Sequence, residues 1–296
     1  MPRGLGVPSF KVEPGAPEIP PIPQRTRNGW GTQHSCPHER NGLKRMHDES
    51  IRQYDGLSEN YHWLYSDYVL SGALALKEYD DVLASAGEKA RILDCSCGIG
   101  TLAIPLAKRG FEVCGSDASQ GMVDQAMLAA RNAGVSIPLN CCTWEELPNR
   151  FAAPFDLIFC LGNAIGHARG RDEMLRSLQG MRAVLKTGGK LVIDSRNWEQ
   201  LRKEKTRFTP YPQWRERAGQ RCLPMYIWNF PERFEDAHTI EVVLLFDSGG
   251  NVSLRSYPIV YYPFHFEELV ERLRCAGFSA IDKFSDNEAE YRVIAS

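Results

Sequence analysis

The sequence predicts an α/β protein: a doubly wound, mostly parallel, seven-stranded sheet with an antiparallel insertion and an N-terminal helical arm. Three observations predict it. First, the run Ile92-Leu93-Asp94-Cys95-Ser96-Cys97-Gly98-Ile99-Gly100-Thr101 is an apolar strand that ends in an acid and a small-residue turn. A helical pattern (Leu102, Ile104, Leu106, Ala107) follows at once. Strand, tight turn and helix in that order open a nucleotide-binding βαβ unit. Second, strand and helix patterns go on alternating as far as residue 195, which is the signature of a parallel sheet covered on both faces. Third, two alternating segments, Thr239–Asp247 and Val252–Tyr261, flank Ser248-Gly249-Gly250-Asn251, a β-hairpin signal.

Taken in order, residues 1 to about 45 carry prolines at 2, 8, 14, 17, 20, 21, 23 and 37 and no hydrophobic period, so a disordered extension is expected there. Met46 opens the first helix-compatible stretch and is a candidate start of translation. The expected folded domain is 46–296. Ser50 to Leu76, rich in Tyr and Trp, reads as the helical arm. Strands are expected at 91–95, 112–117, 137–142, 156–162 and 190–195, and helices at 101–109, 119–133, 144–149 and 171–186. Asp117-Ala118-Ser119 supplies a helix cap, and Lys186-Thr187-Gly188-Gly189 reads as a helix stop. Residues 197–262 are an insertion, with Arg, Pro and Trp-rich sequence before the hairpin. A last amphipathic helix (His265–Cys275) and short strands at 279–284 and 290–295 finish the chain.

The bulk numbers exclude several classes. With 296 residues, 43% of them apolar, a sizeable core can be buried. The 35 basic and 37 acidic residues leave a net charge of -2 and form no basic stripe, so nucleic acid is not an expected partner. No apolar run approaches the ~20 residues of a membrane span, and no signal-peptide pattern opens the chain. Nine scattered cysteines, several inside apolar strand patterns, suit a reduced, cytoplasmic protein. No tight His/Asp/Glu cluster suggests a metal.

The turn distinguishes cofactor classes. A dinucleotide fingerprint holds a pyrophosphate on three glycines and a helix N-terminus. Here the turn reads Asp94-x-x-x-Gly98-x-Gly100, with Ala103 at the third glycine's place. An acid before the loop suits a ligand with a cationic amino acid end and no phosphate, and S-adenosylmethionine is such a ligand. Asp117, ending the second strand, can accept hydrogen bonds from both ribose hydroxyls. NAD binding or a purely structural turn are the alternatives.

Three further segments carry a narrower likeness: Phe159-Cys160-Leu161-Gly162-Asn163-Ala164-Ile165-Gly166-His167, Leu191-Val192-Ile193-Asp194-Ser195-Arg196-Asn197-Trp198, and Ala276-Gly277-Phe278 through Tyr291. With the glycine loop they resemble class I S-adenosylmethionine-dependent methyltransferases, whose fold is Rossmann-like, and more narrowly the glycine and sarcosine N-methyltransferase group. The resemblance covers about residues 50 to 296. It implies that Cys95, Cys97 and Gly98 line the methionine part of the cofactor beside Asp94, Gly100 and Ala118, and that Asp117 binds the ribose. It implies that Thr143 and Trp144 stand by the adenine and that Leu161 and Asn163 flank the sulfonium, with His167 supporting their loop as a structural histidine. Arg196 matches the arginine that holds a substrate carboxylate, Tyr54 and Trp63 match aromatic positions of the arm and are expected to bind the cofactor, and Tyr262 matches a tyrosine near the acceptor. Asn163, Arg196 and Tyr262 are therefore the expected catalytic set.

Two departures stand out: no arginine lies at Tyr68–Gly72, where the family's arm has one on the cofactor carboxylate, and Thr143 replaces the family's asparagine. Tyrosines at 54, 61, 65, 257, 261, 262 and 291 suggest an aromatic-lined acceptor pocket. The expected activity is methyl transfer to the nitrogen of a small amine or amino acid such as glycine or sarcosine. The alternatives are an N- or O-methyltransferase of a larger secondary metabolite, with 208–231 as its lid, and more remotely a non-catalytic cofactor-binding scaffold. The family resemblance also implies self-association.

Overall fold

The computed structural model describes residues 50–284 and 288–296; the extension expected at 1–45 lies outside the described residues. Helix α1 (50–57) runs into a 3-10 helix, Ser58–Leu64, and then into α2 (Asp67–Leu70), α3 (Ala73–Glu78) and α4 (Asp80–Ala86). The alternating core follows as β1 (Arg91–Asp94), α5 (Ala103–Lys108), β2 (Glu112–Asp117), α6 (Gln120–Asn132), β3 (Leu139–Cys141) and a 3-10 turn, Trp144–Glu146. It continues with α7 (Leu147–Arg150), β4 (Phe155–Cys160), a 3-10 turn (Ala164–His167), α8 (Gly170–Ala183) and β5 (Leu185–Arg196). Helix α8 stops at Ala183, before the expected 186, because Leu185 already pairs with Phe155. Lys186 to Gly189 form an irregular entry to β5 in place of a helix stop.

Beyond β5 come α9 (Trp198–Glu204), β6 (Phe208–Pro210), β7 (Arg215–Arg217), β8 (Gln220–Asn229), β9 (His238–Ser248), β10 (Asn251–Tyr261), α10 (Phe266–Cys275), β11 (Ile281–Lys283) and β12 (Glu290–Ala295). The main sheet has seven strands in the order β11-β12-β5-β4-β1-β2-β3. It is parallel except at β12, which runs antiparallel to β5 and to β11. The order reverses between β1 and β4, and the crevice beyond their carboxyl ends is where doubly wound sheets bind ligands.

The expected hairpin widens into a second, antiparallel sheet in the order β10-β9-β8-β6, with β7 also pairing β8. Asn251 pairs Ser248, so the connecting loop is Gly249-Gly250, with φ of 65° and 92°. Two successive positive φ values make the tight turn that suits twisted strands. The ten-residue β8 was not foreseen, because a proline at 224 and arginine at 221 mask its alternation.

Burial follows strand periodicity. On the inner face of the antiparallel sheet, Tyr226 pairs Val242 and Trp228 pairs Ile240, while Ile259 pairs Ile240 from the other side. Trp198, at the start of α9, and Trp228 are fully buried edge to face, 6.4 Å apart, and join the two sheets into one apolar cluster.

Candidate functional site: a crevice and a cavity

Two adjoining places make up the site. The crevice is formed by the loops after β1, β2 and β4. In the first loop Gly98 and Gly100 take φ of 50° and 87°, which allows the backbone to double back below α5. Asp117 holds that loop: its carboxylate accepts from Gly98 N–H at 2.9 Å and from Ser119 N–H at 3.0 Å. The Ala118 N–H adds a third backbone contact, and the carboxylate, with four lone-pair sites, keeps acceptor capacity for a ligand. Burial nevertheless raises its pKa, with backbone donors acting against the rise. Ser96, which the sequence reading passed over, ties this loop to the next: its hydroxyl accepts from Leu161 N–H at 2.8 Å and donates to the Leu161 carbonyl at 3.0 Å.

Asp94 has a different surrounding from the one expected. Its carboxyl is 3% exposed and bonds to backbone N–H groups of Ser96 and Ala103, so it orders the turn rather than facing a ligand ammonium. Desolvation pushes it up to about 7. The thiols of Cys95 and Cys97 are likewise turned into the interior, leaving backbone at those positions for the crevice. The Trp144 indole N–H donates to the Cys95 carbonyl at 2.8 Å, which seats the ring at the end of β1. Gly180 on α8 makes that possible, since a Cβ there would overlap the Trp144 carbonyl. Thr143 and Glu146 form a capping box that starts the Trp144 turn. Ala118 follows Asp117, and its carbonyl lies 3.5 Å from the Cys141 thiol.

The cavity has a volume of about 290 Å³ and lies between α1, the ends of β4 and β5 and the inner face of the antiparallel sheet. Tyr54, Tyr61, Tyr65, Tyr211, Tyr226 and Tyr261 supply its aromatic wall, with Asn163, Asp194 and Arg196 at its base. Burial raises Tyr54, Tyr61 and Tyr65 well above the ordinary phenol value and raises Tyr261 as well, with Arg196 acting against the rise there. Asn163 sits in the left-handed region (φ 62°). Its backbone N–H donates to Asp194 at 2.8 Å, and its side-chain Oδ1 accepts from Arg196 N–H and the Ser195 hydroxyl, each at 2.9 Å. With that oxygen engaged, its amide Nδ2 is buried with no hydrogen-bond partner among the described residues. Arg196 stacks its guanidinium over Trp228 and Tyr226, 5.2 and 5.6 Å from the ring centroids. Among the described residues it has no ion pair, and its Nε is buried without an acceptor.

His167 closes the cavity from behind. Its Nδ1 lies 3.0 Å from the Val260 carbonyl and its Nε2 3.0 Å from the Tyr54 hydroxyl. Asp55, next to Tyr54, accepts from the Ser119 hydroxyl at 2.6 Å and from Gly121 N–H at 2.9 Å, so α1 is anchored on the first turn of α6. Arg217 reaches the other end of the arm, donating to the His62 and Tyr65 carbonyls at 3.1 and 2.9 Å. The arm thus lies over both places, and the Tyr61 ring is 3.7 Å from where a Gly98 Cβ would stand.

Two expected site residues stand elsewhere. Tyr262 lies one residue beyond the end of β10 and turns away from the cavity, with its N–H on the Gly166 carbonyl and its ring near Arg169 and Glu173. Tyr261, one position earlier, faces in. Trp63 is 4% exposed and packs edge-on against Phe246 and under Arg217, so it is core rather than lining. Of the other tyrosines, Tyr257 accepts from the Asn60 side chain at 3.2 Å, and Tyr291 binds Asn197 and Glu199 away from the cavity. Tyr211 and Tyr226, missed at first, become readable once β8 is known to be a strand with Tyr226 and Trp228 on one face.

The crevice fits S-adenosylmethionine: it offers an open glycine backbone, a carboxylate with spare acceptor capacity at the second strand end and an indole beside the first. Comparison with known proteins agrees. Residues 92–189 match a family model described as a methyltransferase domain. A glycine/sarcosine N-methyltransferase of Parasynechococcus marenigrum (strain WH8102) is 26% identical over 251 residues, which is 82% of this chain and 84% of that protein. The glycine N-methyltransferase of Oryctolagus cuniculus is 32% identical over 124 residues, 38% of this chain and 42% of that one. Among solved structures, the CcbJ methyltransferase from Streptomyces caelestis aligns with a TM-score of 0.64 at 18% identity, covering 82% of this chain and 96% of its own. S-adenosylmethionine-bound CalS10, an amino pentose methyltransferase from Micromonospora echinaspora, aligns at 0.60 and 19%, covering 80% and 94%. At such identities these structures speak for the fold. Residues 92–189 thus carry a methyltransferase domain, and the chain as a whole resembles class I S-adenosylmethionine-dependent methyltransferases, the glycine and sarcosine N-methyltransferases among them.

Proposed function

We propose that the chain methylates the nitrogen of a small amine that carries a carboxylate, of the glycine or sarcosine type. The observation that carries this reading is Arg196. A guanidinium removed from water is costly unless an anion meets it. Here neutral rings surround it, and no carboxylate among the described residues pairs with it. Asn163 Nδ2, a second buried donor without an acceptor, lies at the same cavity base. A ligand carboxylate would satisfy both. The cavity volume, about 290 Å³, is at the small end for ligand pockets and suits an amino acid better than a polycyclic acceptor. The relatives named above for glycine and sarcosine support the same choice.

In this reading Asp117 and the glycine loop hold the nucleoside, and S-adenosylmethionine supplies a methyl group on a cationic sulfur that leaves without acid assistance. The protein's task is alignment. Arg196 fixes the carboxylate end of the acceptor, the tyrosine wall excludes water, and the amine nitrogen is presented toward the crevice past Gly162 and Asn163. Neutral hydroxyls around the cavity favour the ammonium that develops on nitrogen. The assignment of Asn163 and Arg196 as catalytic residues, the cofactor roles of the crevice residues and a cytoplasmic, self-associating protein belong to this proposal.

The experiment is an acceptor panel (glycine, sarcosine, an amino sugar and a phenol) assayed for S-adenosylhomocysteine. Turnover of glycine or sarcosine is expected. Turnover of the amino sugar or the phenol alone would replace this reading with that of a secondary-metabolite enzyme, and cofactor binding without turnover of any member would favour the scaffold.

A further inference from the structure

An amine must lose its proton before it can attack, and the cavity contains a path for that proton. The Val260 carbonyl can only accept, so the contact at 3.0 Å requires His167 to carry a hydrogen on Nδ1. In the neutral ring Nε2 is then an acceptor, and the Tyr54 hydroxyl, 3.0 Å away, must donate to it. That leaves the lone pairs of Tyr54 Oη for two donors. The Tyr261 hydroxyl stands 3.4 Å off, and Tyr54 lines the cavity on its remaining side. The imidazole is held in this orientation by stacking on Tyr261, centroids 4.5 Å apart, and by the edge of Tyr54. The arrangement also works with the ring charged: Nε2–H then donates to Tyr54, whose own proton turns toward the cavity.

We propose that Tyr54 and His167 form a proton relay that deprotonates the acceptor ammonium, with Tyr54 touching the amine and His167 holding the proton. This rests on the amine-methylation reading above. In the step, the ammonium N–H bond breaks and its proton goes to a lone pair of Tyr54 Oη, while the phenol proton passes to Nε2, giving an imidazolium and a neutral amine. The freed nitrogen pair forms the N–C bond as the C–S bond breaks toward sulfur. The product is again an ammonium, and the imidazolium returns its proton to water by the reverse path once the cavity empties. Among the described residues, the charged groups that act on the neighbouring tyrosines are Arg196 and Asp194 from β5, on Tyr261 and Tyr65, and Arg169 just before α8 with Glu173 on α8, on Tyr262. Tyr61 and Tyr65 from the arm stay neutral. A carboxylate on Arg196 would offset the nearest positive charge and so make room for one on the ring.

Two measurements test the relay. Long-range 1H–15N spectra of protein labelled at histidine, with His167 assigned by comparison with His167→Gln, should show hydrogen on Nδ1 and bare Nε2, and Tyr54→Phe should shift the Nε2 signal. A ring carrying its hydrogen on Nε2 overturns the relay whatever the acceptor is. With sarcosine and saturating cofactor, His167→Gln and Tyr54→Phe should each lower kcat about 100-fold at pH 7 with KM nearly unchanged. Both should recover toward the native rate near about pH 10, where alkylamines lose their proton unaided. A loss that is the same at every pH, in variants that still bind S-adenosylhomocysteine, indicates a merely structural role and overturns it. If the native enzyme turns over neither glycine nor sarcosine, the acceptor reading fails, and the tautomer decides the relay by itself.

Discussion

The crevice and the cavity lie side by side but are built differently. The crevice is centred on consecutive chain: β1, its loop, α5 and β2 lie within residues 91–117, and Asp117 reaches only nineteen positions back to Gly98, with Trp144 and the Leu161 loop completing it. The cavity is gathered from Tyr54 on α1, Asn163 after β4, Arg196 at the end of β5, Tyr226 on β8 and Tyr261 on β10. Backbone atoms do much of the holding in the crevice, whereas side chains from elements far apart in the sequence define the cavity. A local, backbone-built site admits one ligand class and tolerates little change. A side-chain-built site can be re-specified residue by residue, which is why a common cofactor and diverse acceptors occur together on one fold.

The largest expected effect is on the crevice. Asp117→Ala removes the acceptor for Gly98 and Ser119 N–H groups and any ribose contact. Since hydrogen bonds to a charged group are worth about 1.5–3 kcal/mol each, cofactor affinity measured by calorimetry should fall at least about 100-fold. An unchanged affinity would remove the contrast between the two places. Next, Arg196→Ala should raise the KM for sarcosine by about 10–100-fold while cofactor affinity stays within about twofold, because only the cavity loses its cation. Loss of both affinities together would mean that the two places are one cooperative unit.

A third prediction separates them by pH. Asp94 is buried and its folded-state value, about 7, lies above its unfolded value of about 4, so the native protein retains a proton that the unfolded chain releases. The stability contributed by the protonated acid is fully present below about pH 4 and is lost as pH rises through about 7. Thermal melts should therefore show a Tm that declines across this window, and Asp94→Asn should flatten the decline. A variant with the native slope would place the titration elsewhere. The smallest effect compares neighbours: Tyr261→Phe should change the sarcosine KM by about two- to fivefold, and Tyr262→Phe should leave it unchanged, since a single hydrogen bond is at stake at the first and none in the cavity at the second. The reverse order would assign the cavity wall to the wrong register.

These particulars also show how far the residues could be read in advance. The chain by itself determined the strand–helix alternation, the hairpin at Gly249-Gly250 and the crevice, because each is set by neighbours in sequence: apolar period, turn chemistry, a cap. Tertiary structure decided the rest. A strand places successive side chains on opposite faces, so a one-residue doubt at the end of β10 exchanges Tyr262 for Tyr261. Trp63 goes to the core because Phe246, far along the chain, packs against it. Asp94 and Asp117 are both acids at strand ends that accept from backbone N–H groups of their turns, yet the first is buried and the second is left half-exposed at the crevice. That difference depends on where α5 and the loop come to rest, and no pattern of residue types contains it.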